Sequence, residues 1–288
     1  MRGAAAIAVL MLGLAACSGR REPPVGGLEQ AAAERVILTR TEHVYLYAPS
    51  ASSVFRAQLL RVLEASTQQF SAQVPGGPEP VIKVHLYESE SAWRQAVAER
   101  LPAGVHLGRG MSRGAVTIGG DSYLFDIGGS DAFRLAAHEA WHAWAQLALS
   151  RLPVWLDEAL ATRAEGFYFS PRGGDVIFDL RANPTRRSHL RRLVGAGNLG
   201  SLEDYLGSDP AQLTDDARAL DDFYARAWVF GLLLEDADLA DRLSVALERA
   251  ARDTLTGGAD APLPAILGVT GGELDGRWRR LAHELAGD

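Results

Sequence analysis

Ala136-Ala137-His138-Glu139-Ala140-Trp141-His142-Ala143-Trp144 is the stretch on which the reading of this chain turns. It holds His-Glu-x-x-His inside a run of Ala, Leu, Phe and Trp that favours helix. On an α-helix residues i and i+4 stand one above the other on the same face. His138 and His142 can therefore offer two imidazole nitrogens to one metal ion. Glu139 lies one step round the helix, near enough to reach a water on that ion without being obliged to ligate it. A zinc hydrolase needs this division of labour: neutral nitrogen ligands, an open coordination position, and a carboxylate that accepts the water's proton. Two lone histidines on an apolar helix can also be satisfied core residues, a weaker reading here, so the third ligand matters.

The candidates for that ligand can be sorted. The metzincin pattern continues with Gly and His at the third and sixth positions after the second His, where this chain has Ala145 and Ala148. A cysteine-ligated site is excluded because the only cysteine is Cys17, in the leader. A carboxylate from a following helix remains, and Leu152-Pro153-Val154-Trp155-Leu156-Asp157-Glu158-Ala159-Leu160-Ala161-Thr162 supplies two. Pro153 breaks the first helix, Trp155 and Leu156 anchor the second, and Asp157 and Glu158 fall in its first turn. Adjacent helix positions point about 100° apart, so the two cannot both face the metal.

His-Glu-x-x-His followed by Pro-x-Trp-Leu-x-Glu resembles the gluzincin branch of the zinc metallopeptidases, specifically the bacterial peptidase-MA-like domains. The resemblance implies that Glu158 is the third zinc ligand, with Asp157 the rival. Ala159 stands where the family usually has Gly, a tolerable departure because Ala is the better helix former. The segment from Asn183-Pro184, with Arg187, Leu190, Leu193 and Leu202, is again similar to the family. So are the helix around Phe223-Tyr224-Ala225-Arg226-Ala227-Trp228 and a last helix from Glu273 with Leu274, Trp278 and Leu281. The likeness runs from about residue 35 to 285, strong at the two metal motifs and loose elsewhere.

Before the zinc helix the pattern is mixed. Val36-Ile37-Leu38, Val44 to Tyr47 and Val81 to Tyr87 read as strands by β-branched and aromatic content, with His85 facing outward. Ser53 to Phe70 and Ser91 to Leu101 have helical spacing. Residues 114–119 form a short strand, which by analogy with zincins runs along the cleft and pairs with an extended substrate backbone. Beyond Glu158 the pattern is helical. The expected fold is α+β and zincin-like: a small mixed sheet with helices over residues 35–150, then a mostly helical half over 151–288, with the active-site helix at the junction.

The N-terminus reads as a leader. Met1-Arg2 precedes an apolar run, Ala4 to Ala16, too short to span a bilayer, ending in Leu14-Ala15-Ala16-Cys17-Ser18. Residues 1–17 resemble a bacterial lipoprotein signal peptide whose Cys17 is acylated, and residues 18–34 form a flexible tether. Several acyl chains on one residue anchor a protein stably where one does not. The expected location is the cell envelope, lipid-anchored, with the outer membrane facing the periplasm favoured because Ser18 lacks the Asp retention signal. At 47% hydrophobic the chain can bury a core, and its net charge is −7. No Lys/Arg run, zinc finger or basic–aromatic interleaving supports nucleic-acid binding.

The expected activity is hydrolysis of a peptide or protein substrate by zinc held on His138, His142 and Glu158. Glu139 would accept the proton of the water and hand it to the leaving amine. The oxyanion needs a further donor; Tyr224 is the candidate, with His189 behind it, although a helix tyrosine packing its ring in the core has the same letters. Thr162, one turn after Glu158, is a candidate partner for a zinc ligand. The rival reading is a non-catalytic envelope lipoprotein that uses the domain as a binding scaffold. The intact Glu139 argues against it.

Overall fold

Ile82, Val84 and Leu86 are buried while Lys83 is exposed and His85 and Tyr87 are half-buried. This is the period-2 signature of a strand with one face on the core. The computed structural model describes residues 37–48, 53–101, 114–125, 127–150, 152–171, 174–213, 215–256 and 271–287. The leader with Cys17 and the tether lie outside the described residues, as do Gly268-Val269-Thr270.

The sheet comprises β1 (Ile37–Arg40), β2 (Val44–Ala48), β3 (Ile82–Tyr87), β4 (Ala115–Ile118) and β5 (Asp121–Phe125), in the order β1-β2-β3-β5-β4. The central strands β2, β3 and β5 are parallel, and β1 and β4 run antiparallel at the two edges. Helix α1 (Ser53–Ala72) connects β2 to β3. Helix α2 (Glu90–Ala98), capped by Ser89 accepting from the Ala92 amide, buries Trp93 and Val97 against Tyr123 in a cluster separate from the main core. The inner strand β5 was not anticipated. Its signal is Gly119-Gly120 between two β-rich runs: both glycines have positive φ, 61° and 85°, as a two-residue hairpin turn of the type I′ kind requires.

Helix α3 (Gly129–Ala148) carries the histidine motif. Ala136, Ala137, Ala140 and Ala143 are buried along it, and these short side chains let α1, the sheet and α4 (Val154–Ala164) approach closely. The half beyond Glu158 is mostly helical, as expected, with one small hairpin of β6 (Phe167–Phe169) and β7 (Val176–Phe178) that the helical pattern did not indicate. The chain turns there at Gly166, where an added Cβ would lie 2.5 Å from Leu180 Cα. Then come α5 (Pro184–Gly195), capped by Asn183, α6 (Leu202–Leu206), a 3₁₀ turn (Pro210–Leu213), α7 (Ala217–Leu233), α8 (Ala237–Thr256) and α9 (Gly271–Gly287).

The fold is therefore α+β, a mixed sheet with helices followed by helices. One apolar cluster runs from Val44 and Val84 in the sheet through Trp141 and Trp144 on α3 to Trp228 on α7 and Trp278 on α9. Helix α3 stands between the two parts, which puts the histidine motif where sheet and helices meet.

Candidate metal centre

The two histidines sit one turn apart on α3, and their Nε2 atoms approach to 3.2 Å. Glu158 reaches across from the first turns of α4. Its Oε2 lies 3.4 Å from His138 Nε2 and 3.6 Å from His142 Nε2. This oxygen is buried and accepts no hydrogen bond among the described residues. A tetrahedral ion with bonds of about 2.0–2.1 Å separates its ligand atoms by about 3.3–3.4 Å. The three observed separations bracket that edge. His138, His142 and Glu158 thus form a cluster that could hold a metal ion, and the orphaned carboxylate oxygen has no other evident use.

The opposite ring nitrogens are fixed by carboxylates. His138 Nδ1 donates to Glu165 Oε1 at 2.8 Å, and His142 Nδ1 donates to Asp157 Oδ2 at 3.0 Å. With Nδ1 so engaged, Nε2 is the ring nitrogen of each histidine that could take a metal. Asp157, the rival ligand, instead lies behind His142 and also accepts from the Trp141 indole at 2.7 Å. Helix geometry explains the split: one residue before Glu158, its carboxylate is swung to the other side of the ring.

Glu165 caps the C-terminus of α4 and is almost fully buried. It accepts from Asn183 Nδ2 at 2.7 Å and from Arg186 Nε and Nη2 at 2.9 and 2.7 Å. Arg134, one turn before His138, donates to the carbonyls of Glu165, Ala182 and Phe167 and so holds the same loop. Sequence reasoning missed Glu165 and Arg186, because nothing local marks either as a partner of a residue some 30 to 50 positions away. Asn183 was legible only as the start of a segment similar to the family.

Burial pushes His138 down, but the carboxylates of Glu158 and Glu165 outweigh it and raise the imidazole to about 9. His142 is raised well above its ordinary value by Asp157 and Glu158, against the same burial. For Glu158 burial works upward, yet the facing imidazoles hold it far below the usual carboxylate range. Burial likewise opposes Arg186 and His138 at Glu165, which ends at about 2. Without a metal, the raised imidazoles of His138 and His142 and the Arg186 guanidinium are what face the buried carboxylates of Glu158 and Glu165. A divalent cation at this cluster would take the place of the imidazole protons, since a bound histidine is neutral.

Glu139 is buried, and its Oε2 accepts from Thr117 Oγ1 on the edge strand β4 at 2.7 Å. Ser122 of β5 donates to the Glu139 carbonyl at 3.0 Å. The edge position of β4, expected by analogy, is found, and Thr117 was missed as a contact of Glu139. Tyr224 is half-buried. Its ring meets His138 edge-to-face at 5.5 Å, and the Arg186 guanidinium lies over it at 4.7 Å. Burial, and then Glu158, push its hydroxyl well above the ordinary tyrosine value, so it is a protonated donor. His189 of α5 faces Asp221 of α7 at 3.7 Å. Thr162 donates to the carbonyls of Glu158 and Ala159 within its own helix, a backbone contact in place of the anticipated contact to a ligand side chain.

No protein-family model matches the chain, and a search of the curated proteins finds no match either.

Proposed function

We propose that the chain is a zinc-dependent metallopeptidase of gluzincin type with a zincin-like domain, its metal held by His138, His142 and Glu158. The observation that carries this reading is the set of three inward-facing atoms at 3.2, 3.4 and 3.6 Å, the histidines braced from behind by Glu165 and Asp157. Two nitrogens and one carboxylate oxygen are a zinc hydrolase donor set. When bound, zinc would supply Lewis acidity and a water whose pKa falls to about 7.

The chain's own residues then account for the proton and the charge. Glu139, next to a ligand on α3 and steadied by Thr117, is the base that takes a proton from the attacking water and gives it to the leaving amine. Tyr224, protonated and packed on His138, is the donor for the oxyanion. Among the described residues β4 pairs with no strand but β5, and its outer edge would take an extended peptide.

Two measurements on the purified chain test the reading: zinc content, and turnover of an unstructured protein such as casein. One zinc per chain with cleavage that disappears in Glu139→Gln is the expected result. Absence of bound metal, or full zinc retention in His142→Ala, would sink the assignment. Zinc without cleavage of casein or of a peptide library would leave a scaffold role in its place.

A further inference from the structure

We infer that Arg186 is a positioning residue of this centre, locking the ligand His138 and the ring of Tyr224 into one unit through Glu165; the inference rests on the metallopeptidase reading above. The four residues come from four elements: His138 from α3, Glu165 from the end of α4, Arg186 from α5 and Tyr224 from α7. They form a closed circuit. Arg186 grips both oxygens of Glu165, Glu165 accepts from His138 Nδ1, the His138 ring meets Tyr224, and the Tyr224 face carries the Arg186 guanidinium.

Two physical features make Arg186 specific in this role. The Arg186–Glu165 contact is a two-nitrogen fork that fixes the plane of the carboxylate, which a lysine, a point charge on a flexible stem, cannot reproduce. The side chains are 13% and 4% exposed, so water competes weakly for either partner. Arg134 and Asn183 hold the Glu165 backbone and Oε2, while Arg186 is the residue that touches both Oε1, the acceptor of His138, and Tyr224. Losing it frees the carboxylate to rotate away from His138 and frees the tyrosine ring in the same event.

The test uses the purified chain loaded with zinc or cobalt(II). Zinc affinity is read by chelator competition, ligand geometry by the cobalt(II) absorption spectrum, and folding by circular dichroism. R186Q, R186K and E165Q are each expected to stay folded, to lose about 10–100-fold in zinc affinity, and to shift the cobalt(II) bands. R186Q/E165Q should bind no worse than the poorer single variant, because both changes disrupt the same Arg186–Glu165 contact. Should R186Q not fold, R186K is read in its place. A folded R186K with wild-type affinity and spectrum overturns the inference while the metal reading stands. A wild-type chain that binds neither metal removes both.

Discussion

At the scale of single residues, the roles proposed for neighbours in the sequence can be separated by substitution. Gln in place of Glu139 keeps the size and can still accept from Thr117 Oγ1, yet it cannot take a proton at neutral pH. Glu139→Gln should therefore retain zinc and lose about 10²–10⁴-fold in turnover, the contribution of a positioned general base; peptide-cleavage kinetics beside elemental analysis check this. Glu158→Gln has a different signature. Its Oε2 is the third atom of the proposed metal site, so metal affinity should fall together with turnover, as a chelator titration would reveal. Tyr224→Phe should leave zinc bound and lower kcat if the hydroxyl serves the oxyanion; an unchanged kcat would assign the residue to packing alone. His138, Glu139 and His142 were legible because i,i+4 spacing is a local property of a helix. The roles of Asp157 and Glu165 were not, because which side of an imidazole a carboxylate reaches depends on how α4 crosses α3.

At the scale of elements, close crossings and edges decide what the centre can tolerate. Helices α4 and α7 meet at Gly231, where an added Cβ would sit 2.5 Å from the Ala159 carbonyl oxygen. That obstacle is backbone one residue from Glu158, so it cannot swing aside like a side chain. Gly231→Ala should destabilise by about 1–3 kcal/mol through overpacking, visible as a lower denaturation midpoint, with a loss of metal affinity as α4 shifts. The edge strand β4 supports the centre from the other side. Thr117→Val removes the hydroxyl that donates to Glu139 while preserving the strand, so kcat should drop with zinc content unchanged. Helices α1 and α2 were readable from apolar spacing, α3 and α4 from the histidine motif and the break at Pro153, and α5, α7 and α9 from the family resemblance. The β6–β7 hairpin escaped because strands of three residues are too short for periodicity to declare itself.

At the scale of the whole molecule, the α+β body and its N-terminus pose separate questions. We propose that Cys17 is acylated and that residues 18–34 tether the domain to the membrane. Cys17→Ser should then release the chain from the membrane fraction or leave it unprocessed, which fractionation and intact mass would decide; unchanged processing and membrane association would overturn the anchor. The sequence by itself determined the helix that bears His138 and His142, the helix that bears Glu158, and the strands β1 to β4, since each follows from local periodicity, β-branched and aromatic content, or a proline. Only the tertiary structure decided that three atoms from two helices converge within 3.6 Å, that Asp157 and Glu165 stand behind the rings, and that Arg186 and Tyr224 close around His138. Those relations join residues far apart in the chain, and the packing of α3 against α4, α5 and α7 sets them, which no local pattern encodes.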